Sequence, residues 1–273
     1  MLRLESETGW WLVTHPDHAR LAGAFAEAWG NDRFLPPKPR EKVLLGIRSH
    51  DDGWAARDAK PQITREGRPS AFSTELVGKY SAFEEIDLED YLAVRDRAVR
   101  SMADEDAYAG LLVSMHTHNL LTERAERSTI RPEQLSLLDR FLAEQADFQQ
   151  ELRQRVDSDG GLSKEEKSGM RIRDHFRLLQ ATDNLSLLSC VGYCRKATLL
   201  HPLPLRDGSY SEVSVEPVGE RHFRLEPYPF GDNSRVFEFP ARHVEGKRFE
   251  NAGKFQHSFA ASTVTQLTVV VSA

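Results

Sequence analysis

Residues 172–196, IRDHFRLLQATDNLSLLSCVGYCRK, decide how the chain is read. Phe176, Leu179, Gln180, Asp183, Leu187, Cys190, Val191 and Cys194 recur at offsets of three and four, the mark of one helix face. The spacing predicts a long helix over roughly Ile172–Lys196. Asp183 stands in the middle of its apolar stripe. A carboxylate on a buried face is costly unless it is paired or bound to a metal. A cap on a neighbouring helix, or an ion pair with Arg48 or Arg173, is the reading without metal.

The same test applied elsewhere finds two histidines. In a helix from about Pro16 to Trp29, His18 shares a stripe with Leu21, Ala22, Phe25 and Trp29. Thr14 is its expected N-cap and Gly30 its stop. A helical region from Leu88 to about Thr122 breaks near Ala103–Glu105. In its second half His116 shares a stripe with Ala109, Leu112, Val113 and Leu120, while His118 lies about 200° further round. A helix over Arg40–Ser49 ends at His50-Asp51-Asp52-Gly53-Trp54. There His50 and Asp51 can reach one metal together, or Asp51 and Asp52 can simply face water in a terminal turn.

Working outward, Leu2–Glu5 and Trp10–Thr14 read as a hairpin with Gly9 in its turn. Arg131–Val156 reads as a helix with Pro132 in its first turn. Ser163 and Glu166 have the spacing of a capping box for a short helix. Ala59–Thr74, with Pro61, Gly67 and Pro69, is an ordered loop or a lid, and Lys60–Thr74 reads equally as substrate lid or structural loop. From Pro202 onward alternation replaces helical spacing. Strands are expected at Glu212–Glu216, His222–Leu225, Val236–Phe239 and Leu267–Val271. The expected fold is α+β, mainly α. A helical core (15–200) is flanked by an antiparallel sheet built from the N-terminal hairpin and the C-terminal strands (1–14 and 202–273), all in one composite domain over 1–273.

The chain has 273 residues, 40% apolar and 29% charged, with a net charge of −6. That length buries about three quarters of the unfolded chain's surface. The acidity argues against nucleic acid or anionic membranes as partners, since both demand a concentrated basic field. No apolar run is long enough to span a bilayer, and the acidic start is unlike a signal peptide. Two cysteines, Cys190 and Cys194, sit one helical turn apart and read as small buried apolar residues. A reducing cytoplasm is the expected location. Of the ten histidines, His201, His222, His243 and His257 show no shared spacing.

His18, His50-Asp51, His116 and Asp183 stand in the order that resembles the HD superfamily of metal-dependent phosphohydrolases. That superfamily carries a His on one helix, an adjacent His-Asp on the next and an Asp on a later one. The chain also resembles, over nearly its whole length, an uncharacterised bacterial domain-of-unknown-function family with HD-like features. The matching segments are Pro16-Asp17-His18-Ala19, Trp29-Gly30, His50-Asp51-Asp52-Gly53-Trp54, Gly67-Arg68-Pro69-Ser70-Ala71-Phe72, Leu111-Leu112-Val113-Ser114-Met115-His116 and Asp183-Asn184-Leu185-Ser186-Leu187. HD hydrolases follow the His-Asp with an apolar residue, Gly and Lys. Here Asp52 and Trp54 replace the first and last, which removes a phosphate-holding Lys.

The resemblance implies a metal site of His18, His50, Asp51, His116 and Asp183, with Asp51 also catalytic. A sixth donor for a second ion would come from His118 or His175. Such a mixed nitrogen and oxygen set suits Fe, Mn, Zn or Ni, as one or two ions. The expected activity is hydrolysis of a small phosphorylated substrate or nucleotide, with Arg48, Arg68 and Arg173 as candidate substrate-binding residues. An iron-dependent HD-type oxygenase and a non-catalytic binding or scaffold protein are the alternatives. The oligomeric state is left open.

Overall fold

A hairpin opens the chain. In a computed structural model, which describes residues 1–77 and 87–273, β1 (Leu2–Glu5) pairs antiparallel with β2 (Gly9–Val13), Leu2 opposite Val13. Gly9 lies inside β2 rather than in the turn. Its need for glycine comes from crowding: a Cβ there would stand 2.0 Å from the Val244 carbonyl oxygen on the neighbouring strand.

α1 (His15–Ala28) follows with Thr14 as N-cap, its Oγ1 accepting from Asp17 N at 3.1 Å. Gly30, at φ +120°, turns the chain away. α2 (Arg40–Ser49) runs to His50, and a single 3-10 turn, Asp52–Trp54, leads into the short α3 (Ala55–Asp58). α4 (Leu88–Glu105) and α5 (Ala107–Glu123) break at Asp106, whose Oδ1 caps α5 by accepting from Ala109 N at 2.9 Å. α6 (Leu135–Ser158) starts later than the sequence predicts, because Pro132–Gln134 forms a 3-10 turn ahead of it. The Ser163–Glu166 capping box forms, at 2.8 and 3.2 Å, but closes a turn rather than a helix. α7 (Gly169–Cys190) is buried around most of its circumference. It ends at Cys190, so Cys194 lies beyond it and is exposed, while Cys190 is buried.

The strands after residue 196 are β3 (Ala197–Thr198), β4 (Leu203–Pro204), β5 (Tyr210–Ser211), β6 (Ser214–Gly219), β7 (His222–Glu226) and β8 (Ser234–Glu245). Then come α8 (Ala252–Ala261) and β9 (Val264–Ser272). The sequence reading places no helix at α8. It is a short amphipathic one. Asn251 is its N-cap, the side-chain oxygen accepting from Lys254 N at 2.9 Å. Phe255 and Phe259 stand one turn apart on it and pack against Trp10, Leu12 and Val244.

The seven-stranded sheet has the order β1-β2-β8-β9-β7-β6-β3, while β4 and β5 pair separately. It joins the N-terminal hairpin to the C-terminal strands as expected, but it is mixed, not purely antiparallel: β7 and β9 run parallel, His222 opposite Val270. The cause is topological. β9 inserts between β7 and β8, and a strand placed between two neighbours of opposite direction must run parallel to one of them.

The main core lies between the helices and the sheet. Leu21, Ala22 and Phe25 of α1 and Leu178, Leu185 and Leu188 of α7 pack with Phe237, Phe239, Val269 and Val271. A second cluster, around Leu88, Leu92, Leu121 and Leu138, holds α4, α5 and α6 together and includes Trp54. Residues 60–74 are strapped to the sheet. Phe72 N donates to Met1 O (2.9 Å), Arg3 N to Phe72 O (2.8 Å) and Phe249 N to Gly67 O (2.7 Å). These bonds support the structural-loop reading of the segment. No helix among the described residues is long and apolar enough to cross a membrane.

Candidate metal centre

Four helices bring five predicted residues into one buried cluster. α1 supplies His18, the end of α2 supplies His50 and Asp51, α5 supplies His116 and α7 supplies Asp183. All five are at most 6% exposed. The donor atoms of His18, His50 and Asp51 lie within 4.8 Å of one another, and so do those of His50, His116 and Asp183. Each triad can hold a metal ion, and His50 belongs to both.

The bonds on the far side of each ring decide which nitrogen faces the cluster. His50 Nδ1 donates to the Ile47 carbonyl at 2.7 Å, so Nε2 is the ring nitrogen left to face the cluster. That Nε2 is buried without a hydrogen-bond partner, 3.4 Å from Asp183 Oδ1 and 4.0 Å from Asp51 Oδ2. Ser186 donates its hydroxyl proton to the Asp183 carbonyl at 2.8 Å and so accepts from His18 Nδ1 at 2.9 Å. His18 Nε2 then points at Asp51 Oδ2, 3.0 Å away. His116 Nδ1 sits 2.7 Å from Gln180 Nε2; with that amide turned over, its oxygen would accept from Nδ1–H and leave His116 Nε2 free. Holding one ring nitrogen in this way is the usual support of a metal-binding histidine.

The charges follow from burial and proximity. Burial opposes a charge on His50, but the carboxylates of Asp51 and Asp183 outweigh it and raise its pKa to about 9. Burial and the neighbouring His50 push His116 down to about 3. Burial alone would raise Asp51, yet Arg95 and then His50 hold it well below the usual carboxylate range. Asp183 is likewise lowered, against its burial, by His50, His116 and His18. Two anionic carboxylates therefore face three imidazoles away from bulk water.

The other predicted residues stay apart. His118 is half-exposed on α5 and outside both triads, because its position on the helix turns it away from His116. His175 is buried elsewhere. Its Nδ1 is 2.7 Å from Tyr108 Oη, and its Nε2 accepts from Lys38 N at 3.4 Å. Arg48 and Arg173 are exposed. Arg68 lies in the segment strapped to the sheet, where its charge acts on Glu5. None of the three reaches the cluster by a hydrogen bond or ion pair among the described residues.

Arg95 on α4 does, and the sequence reading missed it. It is 6% exposed and pairs with Asp51 Oδ1. Its signal was the one that found His18: Leu88, Tyr91, Leu92, Val99 and Met102 flank it at helical offsets.

His175 carries a pH prediction. Burial, then Arg171, push it down to about 3 from 6.5, so the folded protein keeps it neutral while the unfolded chain takes up a proton below pH 6.5. Its contribution is complete above that pH and is lost, at about 1.4 kcal/mol per unit, as the pH falls from 6.5 toward 3. In urea titrations at pH 7, 6 and 5, His175→Gln should show a slope shallower than wild type by one proton. Parallel slopes would show that the folded protein also protonates His175.

The family model described as protein of unknown function (DUF3891) matches residues 1–246. No curated protein and no solved structure matches the chain.

Proposed function

We propose, for a chain that belongs to the DUF3891 family of proteins of unknown function, a metal-dependent hydrolase of HD type acting on a small phosphorylated substrate or nucleotide. The observation that carries this reading is His50 Nε2, a buried nitrogen with no hydrogen-bond partner between two anionic carboxylates. A divalent cation at this point would replace the imidazolium proton and offset the charge of both carboxylates. Three imidazoles and two carboxylates suit Fe, Mn, Zn or Ni better than Mg or Ca.

A divalent ion held there supplies a water whose pKa is lowered toward neutrality. The remaining work falls to the chain. His18, His50, His116 and Asp183 would hold the ion. Asp51, anionic and with Oδ2 turned inward, would help hold the ion and orient that water. The burial of the cluster excludes bulk solvent and strengthens each of these charges.

Metal analysis of the purified protein tests the reading first. At least half an equivalent of transition metal, or uptake on reconstitution, is the expected result, together with phosphate release from a panel of nucleotides and sugar phosphates. Less than about half an equivalent, with no uptake, ends it. One observation favours a second reading, an iron-dependent oxygenase with an uncharged substrate: the buried arginine is committed to Asp51. Oxygen consumption with Fe but not Mn would select that reading, and turnover without oxygen would reject it.

A further inference from the structure

We infer that Arg95 is a positioning residue that leaves Asp51 a single free oxygen and so limits the centre to one ion. The inference rests on the metal-binding reading above. Arg95 is clamped on several sides. Nη1 donates to Asp51 Oδ1 and Nε donates to Tyr91 Oη at 3.2 Å. Its guanidinium carbon stands 5.3 Å from the ring centres of both Trp54 and Tyr91, within cation–π range. Trp54 is itself stacked on the ring of His15, 4.7 Å away. A guanidinium so enclosed is not free to swing toward a substrate.

A carboxylate commonly bridges two ions by giving one oxygen to each, the ions standing about 3.5–4 Å apart. The bond from Arg95 already draws on Asp51 Oδ1 and leaves it a poor bridge to a second ion. The fixed positive charge beside Oδ1 also opposes a second cation at that point. The histidines agree. The two donor triads share His50, and only its Nε2 is available, because Nδ1 is engaged with Ile47. Whichever ion His50 Nε2 binds, the other triad keeps only two donors. His118 and His175, which a six-donor pair would call on, lie outside.

Calorimetric titration with Mn²⁺ and Zn²⁺, with electron paramagnetic resonance of the Mn²⁺ form, tests the inference on wild type, Arg95→Met and Arg95→Lys. Wild type should take one ion and give the spectrum of an isolated Mn²⁺. Arg95→Met should bind about 10- to 100-fold more weakly, the usual effect of losing an outer partner, and Arg95→Lys should recover part of that loss. Two ions with spin coupling in wild type, or Arg95→Met binding as tightly as wild type, would overturn the inference and leave the metal-binding reading standing. No uptake by wild type would overturn both. If Arg95→Met does not fold, the wild-type count and Arg95→Lys decide.

Discussion

Asp183→Ala should lower the metal affinity of the cluster by more than about 100-fold, because partners that only orient a ligand already account for about 10- to 100-fold. Asp183 Oδ1 stands 3.4 Å from His50 Nε2 and 3.7 Å from His18 Nδ1, with its side chain 9% exposed. It is thus one of two anions that offset charge in a buried group of imidazoles. Alanine removes the charge and a donor together. Asp183→Asn keeps the shape and one oxygen while losing the charge, so it should fall between alanine and wild type. Calorimetry with Zn²⁺ measures both. Metal uptake unchanged in Asp183→Ala would place the ion elsewhere or show that the cluster is a hydrogen-bonded network without metal.

Phe25→Ala should destabilise the protein by about 3–5 kcal/mol, the range for emptying a buried aromatic site. Phe25 is fully buried on α1, and its ring meets Phe237 of β8 edge-on, with centroids 4.6 Å apart. It therefore ties the helical layer to the sheet. Urea unfolding followed by far-ultraviolet circular dichroism and by tryptophan fluorescence should show one transition, shifted as a whole. Two transitions, only one of them shifted, would mean that helices and sheet unfold separately, against the single composite domain.

Much of the cluster was legible because its residues break a local rule. His18, His116 and Asp183 each interrupt an apolar stripe, and a stripe is visible along one segment. Arg95 breaks the stripe of α4 in the same way, yet residue type says nothing about partner. Only the crossing of α4 beside the end of α2 pairs it with Asp51. The reverse error befell Arg48, Arg68 and Arg173, chosen for their charge and found apart from the cluster. Cys194 failed for another reason. The apolar spacing continues past Cys190, but Gly192, at φ +62°, has already turned the chain.

Alone, the sequence determined the long helices ahead of residue 190, the two strand-rich ends and three of the inward polar groups, since periodicity and capping act over a few residues. Tertiary structure alone decided that β9 inserts between β7 and β8, that Gly9 is required by the backbone of Val244, and that donors from four helices meet on His50. These outcomes depend on which surfaces pack together. Burial stabilises any apolar face against any other, so the pattern that drives a helix inward does not name the neighbour it will find there.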